Sequence, residues 1–199
     1  MNELKLGIVE KKASSGSHFM LLYENEKDLV EAYSKFYSQG LKDDEFCMFA
    51  YKDPELMIKI KKEMSSSVDV NHFEAEGQIL FLEKDDVYFE KDKFDKEKVY
   101  QFLKEELTIR KASGKGIRAG GDISWLKEDL FDQFADYEEG LTENFYKERM
   151  LILCAYPVGK LSVARMIRIM TAHPFVIHKE KGAWQITDSA EKELRQKIA

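Results

Sequence analysis

The chain has 199 residues, of which 44% are hydrophobic and 34% charged, enough to bury one substantial core. Its formal net charge of −6 argues against a general electrostatic attraction to nucleic acid. The first residues lack the apolar segment of a signal peptide, and no window approaches the roughly 20 apolar residues of a membrane span, so we expect a cytoplasmic protein without membrane contact.

The first predicted strand, His18–Tyr23, runs straight into an amphipathic helix predicted over Glu26–Gln39. Asn25 is expected to cap this helix and Gly40 to end it. Many α/β proteins hold a nucleotide phosphate at such a junction, but the residues here are "ENEKD", without a glycine.

Three further strands follow with intervening helices. Phe46–Tyr51 is the second predicted strand, and a helix begins after it at Pro54. An irregular link, "SSSVDVNHFEAEG", leads to the third strand, "QILFL". An acidic and aromatic loop then precedes a helix starting near Asp95, and the fourth strand lies within "GIRAGGDIS".

The last third begins with a long helix predicted from about Leu126 to Lys147. The fifth strand, Met150–Tyr156, is the most apolar and is therefore expected near the sheet centre. A short helix, "SVARMIRIMTA", is predicted to end before His173 and Pro174. The chain closes with a predicted hairpin, "FVIHKEKGAWQIT", and a polar helix, "DSAEKELRQKIA".

This alternation of strands and helices predicts an α/β fold with a mostly parallel sheet covered by helices on both faces. We expect a single domain over residues 1–199. Its core runs from about residue 15 to 175, and residues 176–199 form the C-terminal hairpin and helix. Both cysteines, Cys47 and Cys154, lie in apolar runs, which predicts reduced, buried thiols rather than a disulfide framework.

Ligands of open α/β sheets usually bind at the carboxyl ends of the strands. Polar and aromatic side chains collect there in this sequence: Tyr23, Glu24, Asn25, Tyr51, Asp122, Ser124, Trp125 and Tyr156. Aromatic rings offer contact area to a small organic ligand, although tyrosines and tryptophans at strand ends also commonly bridge core and water.

The spacing of the residues argues against nucleotide hydrolysis by the usual mechanism. A phosphate loop needs G-x-x-x-x-G-K-[ST], whereas the acidic "ENEKD" turn would repel phosphate. The glycine-rich "SGKGIRAGGD" follows a helix and enters a strand, the wrong context for a dinucleotide fingerprint, so its glycines are expected to make a turn and a close backbone approach within the sheet.

Catalytic and metal sites are weakly indicated. Cys154 and His173, oriented by Asp122 or Glu138, could in principle form a nucleophile and base, but Cys154 lies mid-strand and no nucleophile-elbow pattern is present. The four histidines are scattered and lack metal-ligand spacing. The sequence therefore predicts no catalytic residue, no metal site and no cofactor.

The order of several short motifs resembles the MEDS domain, a sensory domain of methanogens and methylotrophs related to RecA-like ATPases of the circadian-clock type. The motifs, which extend from about His18 to Pro174, are "HFMLLYENEKD", "FYSQGLKDDEFCMFAY", "IRAGGDISWL", "DYEEGL", "LCAYP" and "AHP". One departure is Gly121-Asp122-Ile123, where members commonly have Gly-Glu-Met.

The resemblance implies a three-layer RecA-like fold that has lost its phosphate loop and senses a small organic molecule, such as a hydrocarbon derivative or one-carbon compound, in the former nucleotide crevice. The residues it implies for ligand binding are His18, Tyr23, Glu24, Asn25, Arg118, Asp122, Trp125, Tyr137, Glu138, Tyr156 and His173. An equally weighted alternative places Arg118 in a structural ion pair with Glu24, Asp122 or Glu138.

The sequence thus predicts a non-catalytic, cytoplasmic sensor that regulates a protein partner, a second copy of itself or transcription, without binding nucleic acid directly. A degenerate ATPase-like scaffold that binds a protein and no small molecule is the alternative. A residual nucleotide-binding enzyme is a third reading, disfavoured by the acidic turn.

Overall fold

The computed structural model describes residues 3–188. The strands are β1 (Glu3–Lys5), β2 (Lys12–Ser14), β3 (Ser17–Tyr23), β4 (Phe46–Tyr51), β5 (Ile79–Glu83), β6 (Phe89–Glu90), β7 (Lys93–Phe94), β8 (Ile117–Asp122), β9 (Met150–Pro157), β10 (Phe175–Glu180) and β11 (Ala183–Asp188). The helices are α1 (Glu26–Lys42), α2 (Pro54–Met64), α3 (Val70–Ala75), α4 (Lys84–Tyr88), α5 (Lys96–Ala112), α6 (Phe131–Phe145) and α7 (Val163–Ala172).

Seven strands form one central sheet in the order β11-β10-β3-β9-β8-β4-β5. Its neighbouring strands pair in parallel, except that β10 and β11 form the predicted antiparallel hairpin. The apolar strand β9 lies between β3 and β8 at the centre, as its composition predicts. Two short antiparallel ladders, β1–β2 and β6–β7, lie outside this sheet.

Side chains alternate between the two faces of the sheet and divide the core in two. On one face, odd-numbered residues of β9 such as Leu151 and Leu153 pack with α1 and α2. On the other, even-numbered residues such as Ile152 and Cys154 pack with α5 and α6. The predicted mostly parallel sheet between two helical layers is therefore confirmed.

Several local predictions need correction. Helix α1 does not end at Gly40 but continues to Lys42. The Arg118 side chain packs against Gly40, where a Cβ would lie only 2.5 Å from Arg118 Cδ. The predicted irregular link contains α3, whose start is capped by Asp69. The acidic loop contains α4 and the β6–β7 ladder, and the long helix begins only at Phe131, after a 3-10 turn.

The N-terminal hairpin of β1 and β2 has no counterpart among the predicted elements. The predicted C-terminal helix lies outside the described residues. Among residues 3–188, none of the helices combines the length and apolar character that a membrane crossing requires.

Candidate functional site

The predicted ligand-binding residues do not share one surface. Four of them, Tyr23, Glu24, Asn25 and Asp122, lie at the carboxyl rim of the sheet, and Arg118 lies at the start of β8. Trp125 and Tyr137 belong to a group of packed aromatic rings. His18, Glu138 and His173 form a buried polar cluster under α6 and α7, and the ring of Tyr156 lies 5.7 Å from that of His173. Each group has its own chemistry.

At the rim, the predicted residues bond to one another. The Tyr23 hydroxyl donates to Asp122 Oδ1 over 2.8 Å, and the Ser124 backbone N–H and hydroxyl donate to the same carboxylate. Burial, together with Asp122, raises the pKa of Tyr23 far above its usual value, so the phenol stays a donor. The carboxylate of Asp122 is thus occupied by donors from Tyr23 and Ser124.

The junction between β3 and α1 consists of Glu24 and Asn25 alone. Asn25 Oδ1 accepts the backbone N–H of Asp28 over 3.0 Å, the predicted helix cap. Two residues are too few for a phosphate loop, and the capping side chain takes one of the N–H groups that such a loop would offer to phosphate.

Arg118 is fully buried and ion-paired, as one of the sequence hypotheses held, but its predicted partners were wrong. Its Nε donates to Glu45, its Nη1 donates to the carbonyls of Leu6 and Phe36 over 3.0 and 2.9 Å, and its Nη2 donates to Lys5 O. The guanidinium carbon lies 4.9 Å from the Phe36 ring centroid. The side chain therefore fixes the N-terminal hairpin to α1 and the sheet.

The polar cluster joins His18 of β3, Glu138 of α6, Cys154 of β9 and His173 at the end of α7. His18 Nε2 lies 3.0 Å from Glu138 Oε2 and 3.4 Å from Cys154 Sγ. His173 Nε2 lies 3.3 Å from the same Glu138 oxygen, and the two imidazole centroids are 4.0 Å apart. All four side chains are buried. The fold therefore brings together His18 and His173, which lie far apart in the sequence.

The outer hydrogen bonds of this cluster fix both imidazole tautomers. His173 Nδ1 lies 2.7 Å from the carbonyl of Ile169, which can only accept, so Nδ1 carries a proton. The Thr142 hydroxyl donates to the carbonyl of Ala172, so it must accept from His18 Nδ1 at 3.0 Å. When both imidazoles are neutral, each Nε2 therefore carries a lone pair that faces the Glu138 carboxylate.

Charges in the cluster are strongly coupled. Burial would raise the pKa of Glu138, but its interactions with His173 and His18 outweigh burial and hold that pKa well below its usual value. Burial, reinforced by His173 and opposed by Glu138, lowers the pKa of His18 to about 4. Burial also raises the pKa of Cys154 well above its usual value, which leaves an inert thiol rather than a nucleophile.

Cys154 also borders an apolar cavity of about 30 Å³ between the sheet and helices α4, α5 and α6. Its lining includes Ala119, Ile152, Leu103 and the predicted residue Tyr137. Next to it, an aromatic wall joins Tyr137 to Tyr88, Phe94, Phe134 and Trp125 with ring centroids 5.2–6.5 Å apart.

Three contributors are not predicted from the sequence: Glu45, Tyr88 and Thr142. Thr142 follows Glu138 by four residues on α6, a spacing that places both on one helix face and could have signalled a shared site. Glu45 and Tyr88 give no comparable local signal, because their partners are distant in sequence.

The central sheet lies between two helical layers, and the junction after β3 leaves no room for a phosphate loop. These features are those of a RecA-like α/β domain without its nucleotide-binding turn. The chain belongs to the MEDS family, described as the methanogen/methylotroph, DcmR sensory domain, whose model matches residues 17–174. Its sensory classification points to a regulatory role.

A crystal structure of a KaiC-like protein from the hyperthermophilic archaeon Pyrococcus horikoshii OT3 shares this fold with a TM-score of 0.60. The two are 18% identical, and the match covers 96% of this chain and 90% of that chain. The likeness establishes the fold alone. No curated protein matches the sequence significantly.

Proposed function

We propose that the chain is a non-catalytic, cytoplasmic sensory domain that binds a small organic molecule in the cavity bordered by Ala119, Tyr137, Ile152 and Cys154. The observation that carries the proposal is this apolar cavity in a member of a sensory family. The inert thiol of Cys154 and the occupied carboxylate of Asp122 support a non-enzymatic role.

The size and lining of the cavity define the class of ligand. A volume of about 30 Å³ accommodates roughly two water-sized groups, the scale of a one-carbon or small halogenated compound. Aliphatic side chains supply most of the lining, and Tyr88, Tyr137 and Cys154 are the lining residues whose side chains carry a polar group. A nucleotide is far too large.

Binding would be transmitted through the helices that cover the cavity. A ligand shifts a conformational equilibrium only by its differential affinity for the two states, so α6, which lies against both the cavity and α7, is the natural moving element. Exposed apolar side chains at Val158, Val163 and Ile167 provide a surface near α7 for a partner protein or a second copy.

The same exposed residues favour the alternative of a protein-binding scaffold without a ligand. The two functions differ in their dependence on the cavity. A substitution that fills the cavity should leave partner binding by a scaffold unchanged but should abolish ligand binding by a sensor.

Thermal unfolding of the purified chain with dichloromethane, methanol or ATP with magnesium tests the proposal. We expect one of the one-carbon compounds to raise the melting temperature saturably and ATP with magnesium to leave it unchanged. Ala119→Val, which fills the cavity, should abolish the ligand-dependent rise, whereas Ala32→Val, the same change in the other core, should retain it. An equal rise in both variants would contradict the assigned site, and stable capture of a partner with no rise would favour the scaffold.

A further inference from the structure

We propose that His18, Glu138, Cys154 and His173 form a buried binding site for one divalent transition-metal ion of the Zn²⁺ class. One ligand atom from each of these side chains can be chosen so that all four lie within 4.8 Å of one another. The site is distinct from the organic-ligand cavity, and Cys154 is the one side chain that the two share.

Three of the six separations between donor atoms are close to those around a tetrahedral ion. Zinc lies about 2.0–2.1 Å from histidine nitrogen and about 2.3 Å from cysteine sulfur, which places ligand atoms about 3.3–3.6 Å apart. The observed separations are 3.0 Å from His18 Nε2 to Glu138 Oε2, 3.3 Å from His173 Nε2 to that oxygen, and 3.4 Å from His18 Nε2 to Cys154 Sγ. Small side-chain movements would open this space to an ion.

The hydrogen-bond pattern also favours a cation there. Because both Nδ1 atoms donate outward, to Thr142 and to the carbonyl of Ile169, the Nε2 atoms face a carboxylate without a proton of their own. His173 Nε2 and both oxygens of Glu138 are buried and lack a hydrogen bond of acceptable geometry. A metal ion at this position would accept the lone pairs of His173 Nε2 and of the Glu138 carboxylate.

Metal-ligating histidines usually donate their other ring N–H to a carbonyl, hydroxyl or carboxylate, which is the arrangement seen for both histidines.

The charges of the ligands also balance that of a divalent ion. On binding, the Cys154 thiol loses its proton to solvent and its sulfur bonds to the metal, so that thiolate and Glu138 carboxylate together neutralise the 2+ ion. The two nitrogens and one thiolate favour Zn²⁺ over Mg²⁺ or Ca²⁺.

Cobalt binding to the full chain tests the site. Because the cluster is buried, the protein is refolded from denaturant with chelator, cleared of chelator and titrated with Co²⁺. We expect one equivalent to bind with the intense visible bands of tetrahedral cobalt and a thiolate-to-cobalt charge-transfer band, both displaced by Zn²⁺. Folded wild-type protein that binds less than a tenth of an equivalent of either ion would overturn the proposal.

Two pairs of variants assign the ligands. Cys154→Ala should lose the charge-transfer band and Cys47→Ala, the other buried thiol, should keep it; the reverse result would overturn the assignment even if one variant folds poorly. Thr142→Val, nearly isosteric, removes the acceptor for His18 and should weaken Zn²⁺ binding about 10–100-fold. The matched Thr108→Val, on exposed α5 surface, should not. Equal Zn²⁺ affinity in these two variants would contradict His18 as a ligand.

Discussion

Arg118 places a guanidinium in the fully buried core at the start of β8. Its charge is compensated by Glu45 and its remaining N–H groups by carbonyls of the N-terminal segment and α1. Removing one member of such a buried pair leaves the other charge unpaired in a medium that solvates it poorly. The pair is therefore a structural device rather than a ligand contact.

Arg118→Ala is accordingly expected to lower the free energy of unfolding by about 3–5 kcal/mol in urea denaturation. Lys5→Ala, which breaks the exposed pair with Asp43, should cost less than about 1 kcal/mol. A loss below about 1 kcal/mol for Arg118→Ala would show that the buried pair contributes little.

His18 makes stability depend on pH. Its pKa is about 4 in the folded chain, against about 6.5 when unfolded. The unfolded chain takes up the proton first, so this contribution is fully present above pH 6.5 and is lost as the pH falls towards 4. The slope is at most about 1.4 kcal/mol per pH unit.

Unfolding free energies at pH 7 and pH 5, measured with chelator, should therefore differ more for wild type than for His18→Gln. His72→Gln, at an exposed histidine, should behave as wild type. An identical pH difference in all three proteins would show that His18 does not carry the dependence.

The turn between β3 and α1, which holds phosphate in many nucleotide-binding proteins, serves here to cap the helix. The Asn25 side chain accepts the Asp28 N–H and donates to the Asp28 carboxylate over 2.9 Å. Asn25→Ala should cost about 1 kcal/mol of stability. Exposed Lys27→Ala should stay within about 0.5 kcal/mol of wild type. Unchanged stability together with lost binding of the one-carbon probe would instead make Asn25 a ligand contact.

Elements with a strong local signal could be predicted from the sequence. Phe46–Tyr51 is confirmed to the residue, and the helix after Asp95 has the buried stripe and cap that define it. The β1–β2 hairpin could not be predicted, because its three-residue strands bury only Leu4 and Ala13 and are held by Arg118, more than 100 residues away. Gly120 does make the predicted close approach, to the carbonyl of Leu153.

The polar cluster shows the same limit. His18 and His173 were both candidates from sequence, yet nothing local indicates that they meet. Parallel pairing of β3 with β9 sets His18 beside Ile152, two residues before Cys154. Packing of α7 on α6 then brings His173 and Glu138 together. Such contacts are set by topology, which periodicity does not specify.

The molecule has the RecA-like architecture but lacks the phosphate-binding loop after β3. Magnesium-ATP is therefore expected to be neither bound nor hydrolysed, as judged by calorimetric titration and phosphate release. Hydrolysis that Asp122→Ala abolishes would contradict a non-enzymatic role.

We propose that a small organic molecule binds inside the α5–α6 layer rather than at the sheet rim. Methyl NMR spectra recorded during titration with dichloromethane test it most directly. We expect saturable shifts for the methyl groups of Leu103, Ala119 and Ile152, whereas the methyl signals of Leu29, Ala32 and Leu153 in the opposite core stay unmoved. Saturable shifts confined to the opposite core, or none at any accessible concentration, would contradict it.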